Sequence, residues 1–454
     1  MSGFYQYRME FTILLKTLLL IFTQAVAAEN WSVFRGGSAR GISENANLPL
    51  EWDVKKNKNI EWKVKVPGLG WSSPVVHSGR IYLTSAVSEG EIEPRKPGLY
   101  FGGDRKEPIK HMHHFLVLCL DIESGDYLWQ KEVLATRPVT PIHIKNSYAA
   151  ETPVTDGELV YAYFGSHGLY CLDKTGKKIW EKMFKPYEMR NGWGTGSSPI
   201  LEGDQLIIVN DNMEDSWMAS FDKNTGKQLW KTNREEPSNW STPFIWKHDG
   251  ISELILTGRN QTRSYDLAGN ERWSLKWKSR TSIVIPTPFE AHGLLYIASG
   301  YVGDRDKHVY AIKPGAKNDI SLKPGETKNN FIAWYDKRAA PYNTTPLVYG
   351  DEFYTLFDFG FLGCRDARTG SVHFDKERIN PEKTTGFTAS PWAYRGHVFA
   401  LSEAGETYVF LAGKEYKLVR VNYTGGMSMA NPALVQDRLI LRNQNYLFSI
   451  REKR

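Results

Sequence analysis

The chain has 454 residues, 41% of them hydrophobic, and a formal net charge of +6, which is enough length and apolar content for a large core used as a single domain. Its 57 lysines and arginines are interspersed with 51 carboxylates, a pattern that argues against a nucleic-acid-binding face. Nothing beyond the first residues is apolar for the length a bilayer demands, so no transmembrane segment is expected in the mature chain.

In chain order, Arg8 and Lys16 flank the apolar run 17–22, and Ala25-Val26-Ala27 offers a small-residue cleavage site. Residues 1–27 read as a secretory signal, so the mature protein is expected to be periplasmic or secreted. Residues 28–58 form an N-terminal extension, and 59–454 read as one repetitive unit.

That unit is punctuated by eight dipeptides: Ser73-Pro74, Thr152-Pro153, Ser198-Pro199, Thr242-Pro243, Thr287-Pro288, Thr345-Pro346, Ser390-Pro391 and Asn431-Pro432. Five of the seven proline-to-proline spacings lie between 41 and 46 residues, and the other two, 79 and 58, are insertions. A period of this length marks a repeat architecture. The second repeat is the clearest, with Thr152-Pro-Val-Thr, Leu159-Val-Tyr-Ala-Tyr-Phe, Leu169-Tyr-Cys-Leu-Asp and Lys178-Ile-Trp-Glu-Lys separated by turns. These are four short strands, A to D, rich in β-branched and aromatic residues. A four-stranded meander cannot bury both faces alone, whereas radial repetition lets each blade pack on the next.

Most repeats close with Asp…Thr-Gly, as at Asp173-Lys-Thr-Gly176 and Asp222-Lys-Asn-Thr-Gly226, followed by an aromatic residue. Trp129, Trp180, Trp230, Trp273 and Trp334 hold that place, and Trp62 carries it before the first opener. They are expected to wedge adjacent blades together. The last repeat ends after three strands, and residues 59–66 can supply its missing fourth and remove an open edge. The expected fold is therefore all-β, an eight-bladed β-propeller of four-stranded antiparallel blades closed by an N-terminal strand completing the last blade. Cys119, Cys171 and Cys364 occupy equivalent places in their repeats, beyond disulfide reach of one another, and read as buried small apolar residues.

Loops joining D to A and B to C share one face of such a ring. The long insertions 87–114, 211–215 and 303–306 and the connections 134–150 and 185–196 all fall there, whereas 314–330 decorates the other side. Long loops on one face of a rigid scaffold carry function. Before the openers on that face stand Trp71, Tyr148, Trp193, Trp240, Tyr342, Phe387 and Met427, expected to rim the axial channel, with Arg190, Arg259 and Arg280 in nearby loops. Such a rim stacks a planar ligand or a peptide, or simply plugs the channel. His111, His113 and His114, and the acidic stretch with Asp211 and Asp215, are weak metal candidates without a matching ligand set or an EF-hand spacing.

The Leu/Phe-Asp…Thr-Gly-Lys…Trp pattern at 172–180 and 221–230 resembles the pyrroloquinoline-quinone-like (PQQ-like) β-propellers over nearly the whole mature chain. The opening Trp31-Ser-Val-Phe-Arg-Gly-Gly37 and the segment Gly315-Ala-Lys-Asn-Asp-Ile-Ser321 resemble exported members of planctomycete type. The resemblance implies one of two functions. One is a quinone-dependent alcohol or sugar dehydrogenase holding PQQ with calcium on the axis. The other is a partner-binding propeller like the lipoprotein of the outer-membrane β-barrel assembly machine, with no cofactor. The chain lacks a vicinal Cys-Cys pair, a C-x-x-C-H motif and a lipobox cysteine. The favoured expectation is a monomeric, exported, non-enzymatic scaffold that binds a protein or other macromolecule through the D–A/B–C loop face, and the dehydrogenase is the alternative.

Overall fold

Each Ser/Thr/Asn-Pro opener introduces a short strand next to the axis, and proline suits that entry because it fixes φ and needs no ladder partner for its nitrogen. The computed structural model describes residues 30–45, 47–99, 103–382 and 386–452, so the expected signal segment lies outside the described residues. Eight sheets follow one another around the axis. Blade 1 comprises Val75–His77, Arg80–Ser88, His113–Asp121 and Tyr127–Thr136, strands A to D from the axis outward. Blades 2 to 7 repeat the meander, their A strands starting at Val154, Ile200, Phe244, Phe289, Leu347 and Trp392. In blade 8, Ala433–Val435, Arg438–Arg442 and Tyr446–Arg451 are completed by Ile60–Lys65, which pairs antiparallel with the last of them, Trp62 opposite Ser449 and Lys65 opposite Tyr446.

The openers do more than start strands. The backbone N–H of Ser73 donates to Thr152 Oγ1 (3.0 Å), Thr152 to Ser198 Oγ (3.0 Å) and Ser198 to Thr242 Oγ1 (3.1 Å). Further round, Thr287 donates to Thr345 Oγ1 (3.0 Å), Thr345 to Ser390 Oγ (2.8 Å), Ser390 to Asn431 Oδ1 (2.7 Å) and Asn431 to Ser73 Oγ (3.0 Å). A short side chain bearing an acceptor is what each position needs, which is why Ser, Thr and Asn share it. Between blades 4 and 5 the link differs, with Ser241 Oγ donating to the Pro286 carbonyl (2.8 Å).

The outer rim has its own repeated joint. The indole N–H of Trp62, Trp129, Trp180, Trp230 and Trp334 each donates to a carbonyl in the C–D turn of the next blade, at 2.7 to 3.0 Å. The ring lies over that turn's glycine: Gly125, Gly176, Gly226, Gly269 and Gly370 all have positive φ, and a Cβ there would lie 2.7 to 3.0 Å from ring carbons. The turn's aspartate fixes the same loop. Asp173 Oδ1, for example, accepts from the N–H groups of Thr175 and Lys177, and these bonds outweigh burial to hold its carboxyl below the usual range. Trp273 departs from the pattern and donates to Glu253 Oε2 (2.7 Å), because blade 5 carries the 314–330 insertion where the turn would be. Asn318–Asp319 of that insertion instead pairs parallel with Trp273 and Ser274 as a fifth strand of blade 4. Cys119, Cys171 and Cys364 are free and buried.

Residues 31–42 cross the A–B end of the channel. Trp31 exchanges both backbone bonds with Val76 of blade 1, and Ser32 accepts from Thr155 of blade 2. The turn Gly37–Ala39 packs on the A strands of blades 4 and 5. Arg35, fully buried, gives its guanidinium to the carbonyls of Ala39, Arg40, Pro346 and Pro391, tying the crossing to blades 6 and 7. Burial pushes its pKa down to about 9. Ile42 then bridges to Ala393, and Trp52 stacks on Phe399 with centroids 6.2 Å apart. The extension is thus a floor to the channel.

Candidate functional site

With one end closed, the axial channel becomes a cup of about 580 Å³ that opens on the D–A/B–C face. Phe34, from the crossing segment, lines it along with the eight openers from Ser73 to Asn431. Toward the mouth stand Trp71, Trp193, Trp240 and Tyr342, as the sequence suggested, joined by Leu99, Tyr301, Val302, Phe359 and Met429, which it did not single out. The indole nitrogens are satisfied within the protein. Trp71 donates to the Lys145 carbonyl (2.7 Å), Trp193 to Asp104 Oδ1 (2.5 Å) and Trp240 to the Gly194 carbonyl (2.7 Å). Their rings therefore serve as apolar walls, with Trp193 and Trp240 5.9 Å apart at 42° and Tyr301 and Tyr342 5.1 Å apart at 70°.

The other expected rim residues lie elsewhere. Tyr148 is buried beneath the first insertion, its hydroxyl donating to the Thr140 carbonyl (2.9 Å) and accepting from Ile109 N–H (3.3 Å), its ring edge-on to His113. Phe387 is buried against Tyr408 between blades 6 and 7, and Met427 is likewise buried outside the cup. Arg259 stands just outside the cup wall, its Nε donating to the Thr281 carbonyl (3.3 Å). Phe359 and Val302, at 44% and 41% exposure, were findable: large apolar side chains at B–C loop tips have no reason to face water unless something covers them.

The first insertion is shorter than expected and spans 89–112, because Ser88 pairs with His113 and Val87 with His114 in a regular ladder. His113 and His114 are thus strand residues with side chains on opposite faces. His113 is buried with Nδ1 on the His111 carbonyl (2.9 Å), whereas His114 bonds Glu132 (2.8 Å) and Glu89 (3.0 Å), which raises its pKa. His111 is exposed and covers Gly90. Asp211 is fully buried in a two-pronged pair with Arg234 (2.7 and 3.0 Å), and Asp215 is an exposed member of a turn organised by the Asn212 amide. These residues do not converge, and among the described residues no group of three or more His, Cys, Asp or Glu is placed to share a cation.

The described parts of the first insertion, 89–99 and 103–112, reach the mouth, where Gly98, Leu99 and Asp104 line the cup, and Gly98 is latched to blade 7. Lys145 Nζ, from the blade 1–2 connection, meets both oxygens of Glu403 in the blade 7 B–C turn (2.7 and 2.8 Å) and the Gly98 carbonyl (2.8 Å). Glu403 also accepts from Gly98 N–H and Thr388 Oγ1, both at 2.5 Å. A buried pair of this kind is tolerable only because the remaining lone pairs and protons are also satisfied. His143, on the cup wall, has its pKa lowered to about 4 by burial and then by Lys145, so it is neutral at physiological pH.

The fold has known counterparts. A structure titled BamB from Moraxella catarrhalis superposes with a TM-score of 0.53 at 13% identity, covering 74% of this chain and 93% of that one. The quinohemoprotein alcohol dehydrogenase from Comamonas testosteroni gives 0.56 at 12% identity, covering 95% of this chain and 82% of that one. At these identities the likeness is one of fold. No curated protein sequence matches the chain. The family profile described as outer membrane protein assembly factor BamB matches residues 113–244 and 214–453. The chain therefore belongs to that family of PQQ-like β-propellers.

Proposed function

We propose that this protein is an exported, non-enzymatic scaffold that receives a segment of a protein partner in the axial cup on its loop-rich face. The observation that carries the reading is the cup: blind, floored by Phe34, walled by Trp71, Trp193, Trp240 and Tyr342, and open where the long loops gather. Rigid aromatic side chains with their polar atoms already satisfied are the groups that dominate partner binding energetically. Membership of a family described by an outer-membrane assembly factor supports both a protein partner and export. Among the described residues no helix is long and apolar enough to cross a membrane.

The competing reading is a quinone-dependent alcohol dehydrogenase, favoured by the tryptophan faces at the axis. It has less support in the donor set of the cup, because a hard divalent cation is held by several oxygens with carboxylates among them. Asp104 is the one carboxylate on the wall among the described residues and its Oδ1 accepts from Trp193, while neighbouring Glu403 is saturated by Lys145, Gly98 and Thr388.

A photo-crosslinking amino acid in place of Val302 at the mouth, compared with one in place of Lys323 on the opposite face, tests the proposal. Adducts with a defined protein at 302, absent at 323 and lost on Trp240→Ala, support it; identical adducts at both positions, or none, refute it. A calcium-dependent rise in melting temperature with PQQ, accompanied by dye-linked alcohol oxidation, would transfer the protein to the dehydrogenases.

A further inference from the structure

We propose that Arg190, Arg259 and Arg280 form an acid-binding subsite beside the cup mouth, so that the partner segment carries carboxylates next to its apolar anchor. The inference rests on the cup being a peptide-binding site. Arg190 comes from the blade 2–3 connection, Arg259 from the B–C turn of blade 4 and Arg280 from the blade 4–5 connection. They meet over three consecutive residues. Arg190 Nη1 donates to the Ser282 carbonyl (2.9 Å), Arg259 Nε donates to the Thr281 carbonyl (3.3 Å), and Arg280 immediately precedes both.

Among the described residues no carboxylate is ion-paired with any of the three. Other arginines close by are matched, Arg234 by Asp211 and Arg263 by Glu236. Asp304 is the nearest acidic influence, yet its Oδ2 already accepts the Ser282 N–H (2.8 Å). Burial, followed by repulsion from Arg190 and Arg280, lowers the pKa of Arg259. Three guanidiniums against two carboxylates already engaged, Asp304 by Ser282 and Glu236 by Arg263, is an arrangement that an incoming anion relieves, and guanidinium forks suit carboxylates in particular. Beneath them, the buried Thr281 hydroxyl has no hydrogen-bond partner among the described residues.

The cluster adjoins the cup directly. Asn191 follows Arg190 on the wall, Tyr301 and Val302 belong to the loop that carries Asp304, and the charge of Arg190 is felt at the Tyr342 hydroxyl. Arg280 is exposed and the other two are half-buried, so a ligand side chain can reach them. A ligand seated on Trp193 and Trp240 thus presents its next residues to unbalanced positive charge, which selects aspartate or glutamate.

The test is selection of a random dodecapeptide phage library on the immobilised full chain, followed by calorimetric titration of the best synthetic peptide. Enriched peptides should combine an aromatic or aliphatic residue with an excess of Asp and Glu. Affinity should fall about tenfold or more in R190Q/R259Q/R280Q, as expected for loss of charge-assisted bonds. It should fall also in R280E, which changes an exposed side chain with no hydrogen bond or ion pair among the described residues, and on raising NaCl from about 50 to about 300 mM. No enrichment, enrichment without acidic bias, affinity indifferent to both arginine variants, or citrate alone binding as tightly as the peptide would overturn the proposal. Peptide binding lost in W193A/W240A but intact in the arginine variants would leave the cup as a peptide site and remove the acid subsite alone, whereas binding intact in all of them would remove both.

Discussion

The backbone N–H of Asn431 donates to Ser73 Oγ at 3.0 Å, across 358 residues of sequence. This bond closes a belt of opener-to-opener hydrogen bonds around the axis, while the pairing of Ile60–Lys65 with Tyr446–Arg451 closes the same ring at its outer edge. The propeller is thus fastened twice between its first and last blades, once at the hub and once at the rim.

Ser73→Ala should strand the buried Asn431 N–H and cost about 1–3 kcal/mol in urea unfolding, the penalty of an unsatisfied buried donor. Ser73→Thr, which keeps the acceptor, should cost much less.

Gly176 and Gly203 both have positive φ, +85° and +58°, but a Cβ at Gly176 would lie 2.8 Å from the Trp129 ring whereas one at Gly203 meets nothing within 4 Å. Gly203→Ala should therefore cost only the left-handed backbone penalty, about 1–2 kcal/mol. Gly176→Ala should cost about 1–3 kcal/mol more, because the indole that joins blades 1 and 2 must move. Paired unfolding measurements on the two variants check the difference.

Breaking the buried Lys145–Glu403 latch from one side, by Lys145→Met or Glu403→Gln, should destabilise the fold by about 3–5 kcal/mol. The double variant K145M/E403L should recover part of that loss, since no uncompensated charge remains. Limited proteolysis should then cut within 89–112 in the single variants before it cuts the blades, because the latch is what fastens the insertion to blade 7.

Glu151, fully buried just before the Thr152 opener, has its pKa pushed up by burial to about 7 from an ordinary 4.5. Between those values the folded state keeps a proton that the unfolded chain has released. Its contribution to stability therefore falls as pH rises from about 4.5 to about 7 and is level above that. Glu151→Gln removes this loss, so the stability of the variant relative to wild type should increase over that window by on the order of 3 kcal/mol. Thermal melts at pH 5, 6, 7 and 8 measure it, and a constant difference would contradict it.

Residues that recur were legible in the sequence, because every blade meets the same local problem. The tryptophan of strand D and the glycine of the next C–D turn are two halves of one joint, and both repeat at the blade period. Trp71, Trp193, Trp240 and Tyr342 were found on the cup wall because they precede openers. Tyr148 and Phe387 share that position yet turn outward into blade packing, since rotamer and neighbours, not sequence offset, decide where a ring at the end of a long connection points.

Eight blades, their four strands, their insertions and the strand that closes them follow from periodicity, turn chemistry and the need to bury both faces of each sheet, all of which act between near neighbours or equivalent positions. That the extension floors the channel, that Lys145 and Glu403 latch the first insertion to blade 7, and that three arginines meet with no ion-paired carboxylate among the described residues was decided by the tertiary structure. Each brings together side chains that occur once, from separate loops, and a contact of that kind leaves no period to read.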